Sequence, residues 1–514
     1  MPTALPSRAR RLFAPALSLA AALAVGAAPA SAAYNSGDPV QKAQYDAALT
    51  VAAQGYEYGM PLLNMARTFR TSTSVNVSNG RGAGPVNQFS HFTKLADAKD
   101  RKVVAPNNDT LYSMAWLDLS KGPVVIHTAK GTKRFHVLEL LDPYEKNFAN
   151  IGSPAHSYGD GDYLVAPRGW KGRTPKGLKR ISSPQNRVWI IGRTLVYGQA
   201  DLKNVRKIQH TYRIVPLKRW NPNKPYAYTP PKPKKADRKV NEAHVTGTGA
   251  GEDPAIFFDA LGDQLKRFPP PKADAPMLAK LRTLGIGAGL HPVAGGKLSD
   301  AQLQALRDAV TQGPAKVTSN LVSKYLETFD ALNGWLATRT GAYGTNYSKR
   351  AIVDQVGIGA PLPWVSVYPL ALFDITRAPL TGAKRYVAHF TPHTSHPPVK
   401  FFWSMTLYDN DGFLVDNAKN RYLINDRSGL RYNHDGSLDI YIQPTMPTNP
   451  AQARNWLPSP PASSPTRGFR LLIRLYGLSD KGIEGVVSGS GWHGPTLLPC
   501  ANDGTTSAGV ACAS

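Results

Sequence analysis

The stretch Phe401-Phe402-Trp403-Ser404-Met405-Thr406-Leu407-Tyr408-Asp409-Asn410-Asp411-Gly412-Phe413-Leu414-Val415 decides how this chain folds. Bulky and small side chains alternate, as in a strand with one buried face. Asn410-Asp411-Gly412 breaks it, glycine tolerating the positive φ of a tight turn, and Phe413-Leu414-Val415 resumes it. A counterpart lies in the first half, Phe135-His136-Val137-Leu138-Glu139-Leu140-Leu141-Asp142-Pro143-Tyr144. Phe402 to Asp409 and Phe135 to Asp142 have the same spacing.

Three further matches keep the same order. Tyr112, Asp118 and Pro123 answer Tyr368, Asp374 and Pro379 at identical spacing. Asp160-Gly161-Asp162-Tyr163-Leu164-Val165-Ala166-Pro167 answers the run from Asp435 to Pro444, and Val188 to Gly198 answers Phe469 to Gly477. The offsets drift from 256 through 267 and about 276 to 281, as loop insertions would make them. Two copies of one antiparallel unit follow. Each strand buries a face, Asp-Gly and Pro turns join the strands, and proline at a strand end removes a ladder donor. The expected fold is mainly β with helical segments: two tandem related antiparallel β-sandwich domains, jelly-roll-like, joined by a helical region.

The flanking segments complete the plan. Residues 1–32 read as a signal peptide, with Arg8, Arg10 and Arg11 before the apolar run Leu17–Val25 and a small-residue site at Ala30-Ser31-Ala32. No later segment has the ~18 consecutive apolar residues of a membrane span, so a secreted or cell-envelope protein without an integral membrane segment is expected after cleavage. Residues 33–220 hold an N-terminal helix, which Pro61 should kink or end, and the first sandwich. Residues 221–250 read as a basic Pro/Lys-rich linker, 251–345 as a helical connection, 346–490 as the second sandwich. In the helical part Asp253-Pro254 and Ser299 with Gln302 are capping signals, and Val322, Tyr325, Phe329, Leu332 and Leu336 trace an apolar stripe. Residues 491–514 read as a flexible tail in which Cys500 and Cys512, the only cysteines, can close a disulfide in an oxidising compartment.

At these residues the chain resembles bacterial proteins that join the domains of unknown function numbered 1254 and 1214. Pro106-Asn107-Asn108-Asp109-Thr110-Leu111-Tyr112-Ser113, Trp116-Leu117-Asp118-Leu119, Asp142-Pro143-Tyr144 with Asn147, and Gly159–Tyr163 carry the first likeness. Pro397–Asp409, Asn455-Trp456-Leu457-Pro458 and Arg474-Leu475-Tyr476 carry the second. The likeness covers roughly residues 45–480. It implies two β-sandwich units with helices, usually exported, and no established activity. Residues 221–250 and 254–340 match least well, and Pro379-Leu380-Thr381-Gly382 replaces the Asp-Gly-rich loop expected before the strand at Tyr386.

No Gly-x-Ser-x-Gly elbow, His-Glu-x-x-His helix or phosphate-cradling Gly-x-x-x-x-Gly-Lys is present, and nothing calls for a cofactor. Chemistry would need distant residues brought together. Asp109, Tyr112, Asp142 and Arg193 are the catalytic candidates, as acid, base and anion clamp, with Asn108 and Asn147 beside them. Turn chemistry accounts for the same Asn and Asp residues. A second set for binding is Trp403, Tyr408, Asn455, Trp456, Arg474 and Tyr476. Arg474 lies inside an apolar strand and needs a carboxylate or a bound anion. Arg193 holds the equivalent place, so an Arg–Asp pair kept in both copies is the structural account. His389, His393 and His396 have spacing that a transition metal could use, on a loop stiffened by Pro392, Pro397 and Pro398. Asp409-Asn410-Asp411-Gly412 lacks the twelfth-position acid of a calcium loop and reads as a turn.

Formal charge is +26, and residues 168–239 hold 20 Lys and Arg against Asp201 and Asp237. Such a field favours anionic partners, and without a nucleic-acid motif no nucleic acid is expected. A solvated basic surface explains it equally well. Two functions remain. One is a hydrolase or lyase on a small or polymeric polar substrate, with Asp109, Tyr112 and Arg193 around one pocket. The other is a non-catalytic binding protein that holds anionic envelope polymers on a continuous basic face.

Overall fold

The computed structural model describes residues 34–101, 104–128, 131–224, 252–464 and 468–513. The expected signal peptide, and the linker from residue 225 onward, lie outside them.

Helix α1 (Pro39–Thr73) opens under Asp38, whose carboxylate accepts from the Val40 and Gln41 amides. Pro61 neither ends it nor stops its burial. The helix runs a further three turns because Leu62, Leu63, Met65, Ala66 and Phe69 all face packed surfaces, and burying them outweighs the one hydrogen bond that proline forfeits.

The first β-domain follows with β1 (Ser90–His91), β2 (Thr110–Asp118), β3 (Val124–His127), β4 (His136–Leu141), β5 (Asn147–Gly152), β6 (Asp162–Ala166), β7 (Lys179–Ser182), β8 (Arg187–Leu195) and β9 (Arg213–Pro216), with α2 (Leu202–Gln209) before β9. A helical region then contributes α3 (Ile256–Arg267), α4 (Ala275–Arg282), α5 (Asp300–Glu327) and α6 (Tyr347–Gly357). The second β-domain carries β10 (Ser366–Val367), β11 (Leu370–Ala371), β12 (Tyr386–Phe390), β13 (Phe402–Asp409), β14 (Leu423–Asn425), β15 (Leu438–Gln443), β16 (Trp456–Pro458), β17 (Phe469–Tyr476) and β18 (Thr496–Pro499), with α7 (Pro450–Arg454) and α8 (Asp480–Ser488).

The protein is mainly β, with two β-regions and helices between them. Its sheets repeat in the same strand order, β1 of the first domain apart. One sheet of the first domain runs β1-β2-β8-β4-β5; its counterpart runs β10-β17-β13-β14, with β11 also on β17. The opposing sheets run β7-β6-β3-β9 and β16-β15-β12-β18. Even the parallel pairs, β6 with β7 and β15 with β16, fall in matching places. A part-buried His–Asp contact recurs too: His127 Nδ1 lies 2.7 Å from Asp162 Oδ1, and His389 Nδ1 lies 2.7 Å from Asp439 Oδ1. The sequence echo is a structural duplication.

Three details differ from expectation. Strand β13 is buried on both faces. Trp403, Met405 and Leu407 enter the core of the second sandwich, while Phe402, Ser404, Thr406 and Tyr408 face the first domain. The Ser299–Gln302 capping box opens α5, but the helix stops at Glu327; Phe329, in a turn, and Leu336, bridged to Leu370, stay buried beside Tyr325. Finally, residues 491–514, expected as a flexible tail, supply β18 to the sheet edge. The Cys500–Cys512 disulfide closes a hairpin behind it, and Ala513 packs on Val387 and Tyr441.

Candidate functional site

The duplication places equivalent residues face to face at the seam between the β-domains. Tyr112 on β2 and Arg193 on β8 are direct cross-strand partners, with the guanidinium 5.6 Å from the Tyr112 ring centre. Their counterparts, Tyr368 and Arg474, are 5.5 Å apart in the same sense. Asn107 donates to the Tyr476 hydroxyl at 2.7 Å, and the Tyr476 ring stacks on Phe402 at 4.1 Å. Tyr408 donates to the Pro106 carbonyl at 2.8 Å. The Asp109 carboxylate, fully buried, accepts from Asn425 and Arg427 of the second domain.

The two arginines differ in their counter-charge. Arg193 forms a buried ion pair with Glu139. Arg474 is held by neutral acceptors instead: Thr406 Oγ1 at 2.9 Å, the Ala105 carbonyl at 2.9 Å and the Tyr408 hydroxyl at 2.7 Å. The expected Arg–Asp pair in both copies is therefore absent among the described residues. Glu139 and Thr406 occupy the same position of the repeat, 267 residues apart, which accounts for the difference. Burial pushes the Tyr112 and Tyr476 phenols and the Glu139 carboxyl up, so at neutral pH both phenols stay protonated.

Asp142 lies elsewhere. It closes the β4–β5 turn by accepting from the Tyr144 and Lys146 amides, and it joins a second buried group with Glu145, Arg350 and Asp354 under α1 and α6. Burial raises Asp142 to about 6 and Asp354 to about 7, and pushes Glu145 well up; Asp354 charge adds to the Glu145 shift. Asn147 donates to Asn150 within β5 itself. Nearby, a cleft of about 460 Å³ between helices is lined by Gln54, Glu57, Met277 and residues 345–348, and by none of the catalytic candidates.

The remaining candidates scatter. Asn108 bonds the Ala96 carbonyl. Trp403 is core. Asn455 ties Arg431 to the Asp439 carbonyl, and the Trp456 indole donates to Gln443, so both pin the far sheet. The three histidines do not assemble: His389 is taken by Asp439, His393 is exposed, and His396 stacks on Tyr432. Among the described residues no cluster of three His, Cys, Asp or Glu side chains fits a metal. Arg101 contacts Asp409 and Asp411, consistent with a turn at the would-be calcium loop.

A basic surface lies on the outer side of the β7-β6-β3-β9 sheet. Val125, Leu164 and Leu178 form its floor under Trp170, Leu217 and Trp220. Arg180, cross-strand from Leu164, rises over Trp170 at 4.9 Å, and Lys171, Arg173, Lys176 and Lys218 are exposed from the same loops. The one acid between 168 and 224, Asp201, is buried in an ion pair with Arg134.

Sequence reasoning missed Glu139, Tyr368, Asn107 and Arg427. Glu139 was legible as a charge inside the apolar run Val137–Leu141, the signal that singled out Arg474. Tyr368 was already the counterpart of Tyr112.

No curated protein matches the chain. The crystal structure of the VPA0106 protein from Vibrio parahaemolyticus is similar, with 23% identity and a TM-score of 0.58, over 88% of this chain and 100% of that one; the likeness is one of fold. A putative uncharacterized protein from Burkholderia cenocepacia aligns at 13% identity and a TM-score of 0.38, over 86% and 94%. Residues 86–216, from just before β1 through β9, match the family described as protein of unknown function DUF1254. Residues 365–480 match protein of unknown function DUF1214, so the chain carries the pairing that its motifs resemble.

Proposed function

We propose that this is an exported binding protein for anionic cell-envelope polymers, held on the basic face of the first β-domain. The observation that carries the reading is the one-signed surface around Arg180: exposed lysines and arginines from adjacent loops, with the segment's one acid buried and neutralised. In water an isolated surface charge does little, but a cluster of one sign attracts a polyanion by releasing its counterions. The disulfide and the leader-like start fit an extracytoplasmic setting.

A hydrolase or lyase draws support from Asp142 and Asp354, raised into the range where a general acid or base operates. Both are sealed from solvent, and Asp109 is tied to Arg427, so binding is the reading adopted. The test is retention of the mature protein on a heparin column. Elution at high salt, lowered by Lys171→Glu with Arg180→Glu, supports it; elution with uncharged controls overturns it.

A further inference from the structure

The seam holds a buried charge to which no described carboxylate is hydrogen-bonded. Arg474 is 2% exposed, and its three hydrogen-bond partners among the described residues are neutral oxygens. A buried guanidinium is strongly disfavoured unless an anion accompanies it, and Arg193 shows the remedy in the other copy, where Glu139 stands at the position of Thr406.

A second feature points to the same place. Ser404, directly cross-strand from Arg474 and on its side of the sheet, is fully buried, and its hydroxyl has no hydrogen-bond partner among the described residues. A buried hydroxyl beside a buried cation is a ready donor for an oxyanion. Tyr112 and Tyr368, the paired tyrosines of the two copies, are only partly buried at the seam, so the arginines are approached past two phenol rings.

We propose that the seam binds a small oxyanion, a carboxylate or phosphate group, which supplies to Arg474 the counter-charge that Glu139 supplies to Arg193. The site is distinct from the basic outer face and takes one small anionic group rather than a polymer. Because it bridges both β-domains, an occupant stabilises the folded two-domain state by mass action.

The test is thermal melting of the mature protein in chloride, acetate and phosphate at equal ionic strength. The wild type melts a few degrees higher in acetate or phosphate than in chloride; a response to both marks a general oxyanion site, and a response to phosphate alone marks a phosphate site. Thr406→Glu installs the first copy's carboxylate, so its chloride melting point rises and its anion response disappears. Arg474→Met provides the check if Thr406→Glu does not fold: it loses the anion response. A wild type indifferent to anions, or an unchanged response in Arg474→Met, overturns the proposal.

Discussion

Asp109 of the first β-domain accepts a 2.8 Å hydrogen bond from Arg427 of the second, with the carboxylate fully buried and the guanidinium partly exposed. That asymmetry decides what each mutation costs. Arg427→Ala strands a buried carboxylate with Asn425 as its remaining donor, one Asp109 oxygen already lacking a partner among the described residues. A cost of about 3–5 kcal/mol is expected. Asp109→Asn leaves Arg427 with Asp426 and solvent, and costs about 1–3 kcal/mol. Urea unfolding checks both. The double variant should be more stable than Arg427→Ala alone; a double variant less stable than either single one would sink the latch.

Stability should fall as pH rises through the titration of the acid group under α1. Burial, above all, raises Asp142 to about 6 and Asp354 to about 7, with Asn64, Arg350 and Arg67 opposing the Asp354 shift. The unfolded chain ionises these groups first, near pH 4 for ordinary carboxyls, so it gains relative to the fold until they ionise there too. Their contribution is complete below about pH 4 and is lost by about pH 7. Asp354→Asn should flatten the slope and raise the urea midpoint at pH 7, without raising it at pH 4. A midpoint independent of pH between 4 and 7 contradicts this.

Reducing the Cys500–Cys512 bond should act locally. Its twelve-residue separation makes a short loop, worth about 3 kcal/mol in chain entropy. Arg385 donates to the Ala513 carbonyl and β18 pairs with β12, so the sheet edge persists while the hairpin frays. Limited proteolysis of Cys500→Ser with Cys512→Ser should trim the chain after about residue 500 and leave the rest intact; equal resistance to the wild type argues against it.

Much of this was legible in the sequence, because strand alternation and the spacing of equivalent residues are local facts. Phe402–Asp409 against Phe135–Asp142 foretold a pair of equivalent strands, and Arg193 against Arg474 foretold equivalent arginines. Long-range partners left weaker traces. Arg427 sits in Asn425-Asp426-Arg427, which reads as a solvated turn until the first domain covers it. Pro61 carries a helix-ending signal that tertiary packing overrides. The polar side of β13 looks solvent-facing because Ser404 and Thr406 are small and hydrophilic; only the second sandwich's dock against the first buries them.

The most direct measurement is the affinity of the mature protein for a soluble polyanion at several salt concentrations. Binding on the basic face predicts that log K falls linearly with log salt, by roughly 0.7–0.9 per charge engaged, and that the slope shrinks by about two contacts in Lys171→Glu with Arg180→Glu. Affinity insensitive to salt, or a slope unchanged in that double variant, would contradict polymer binding at this face.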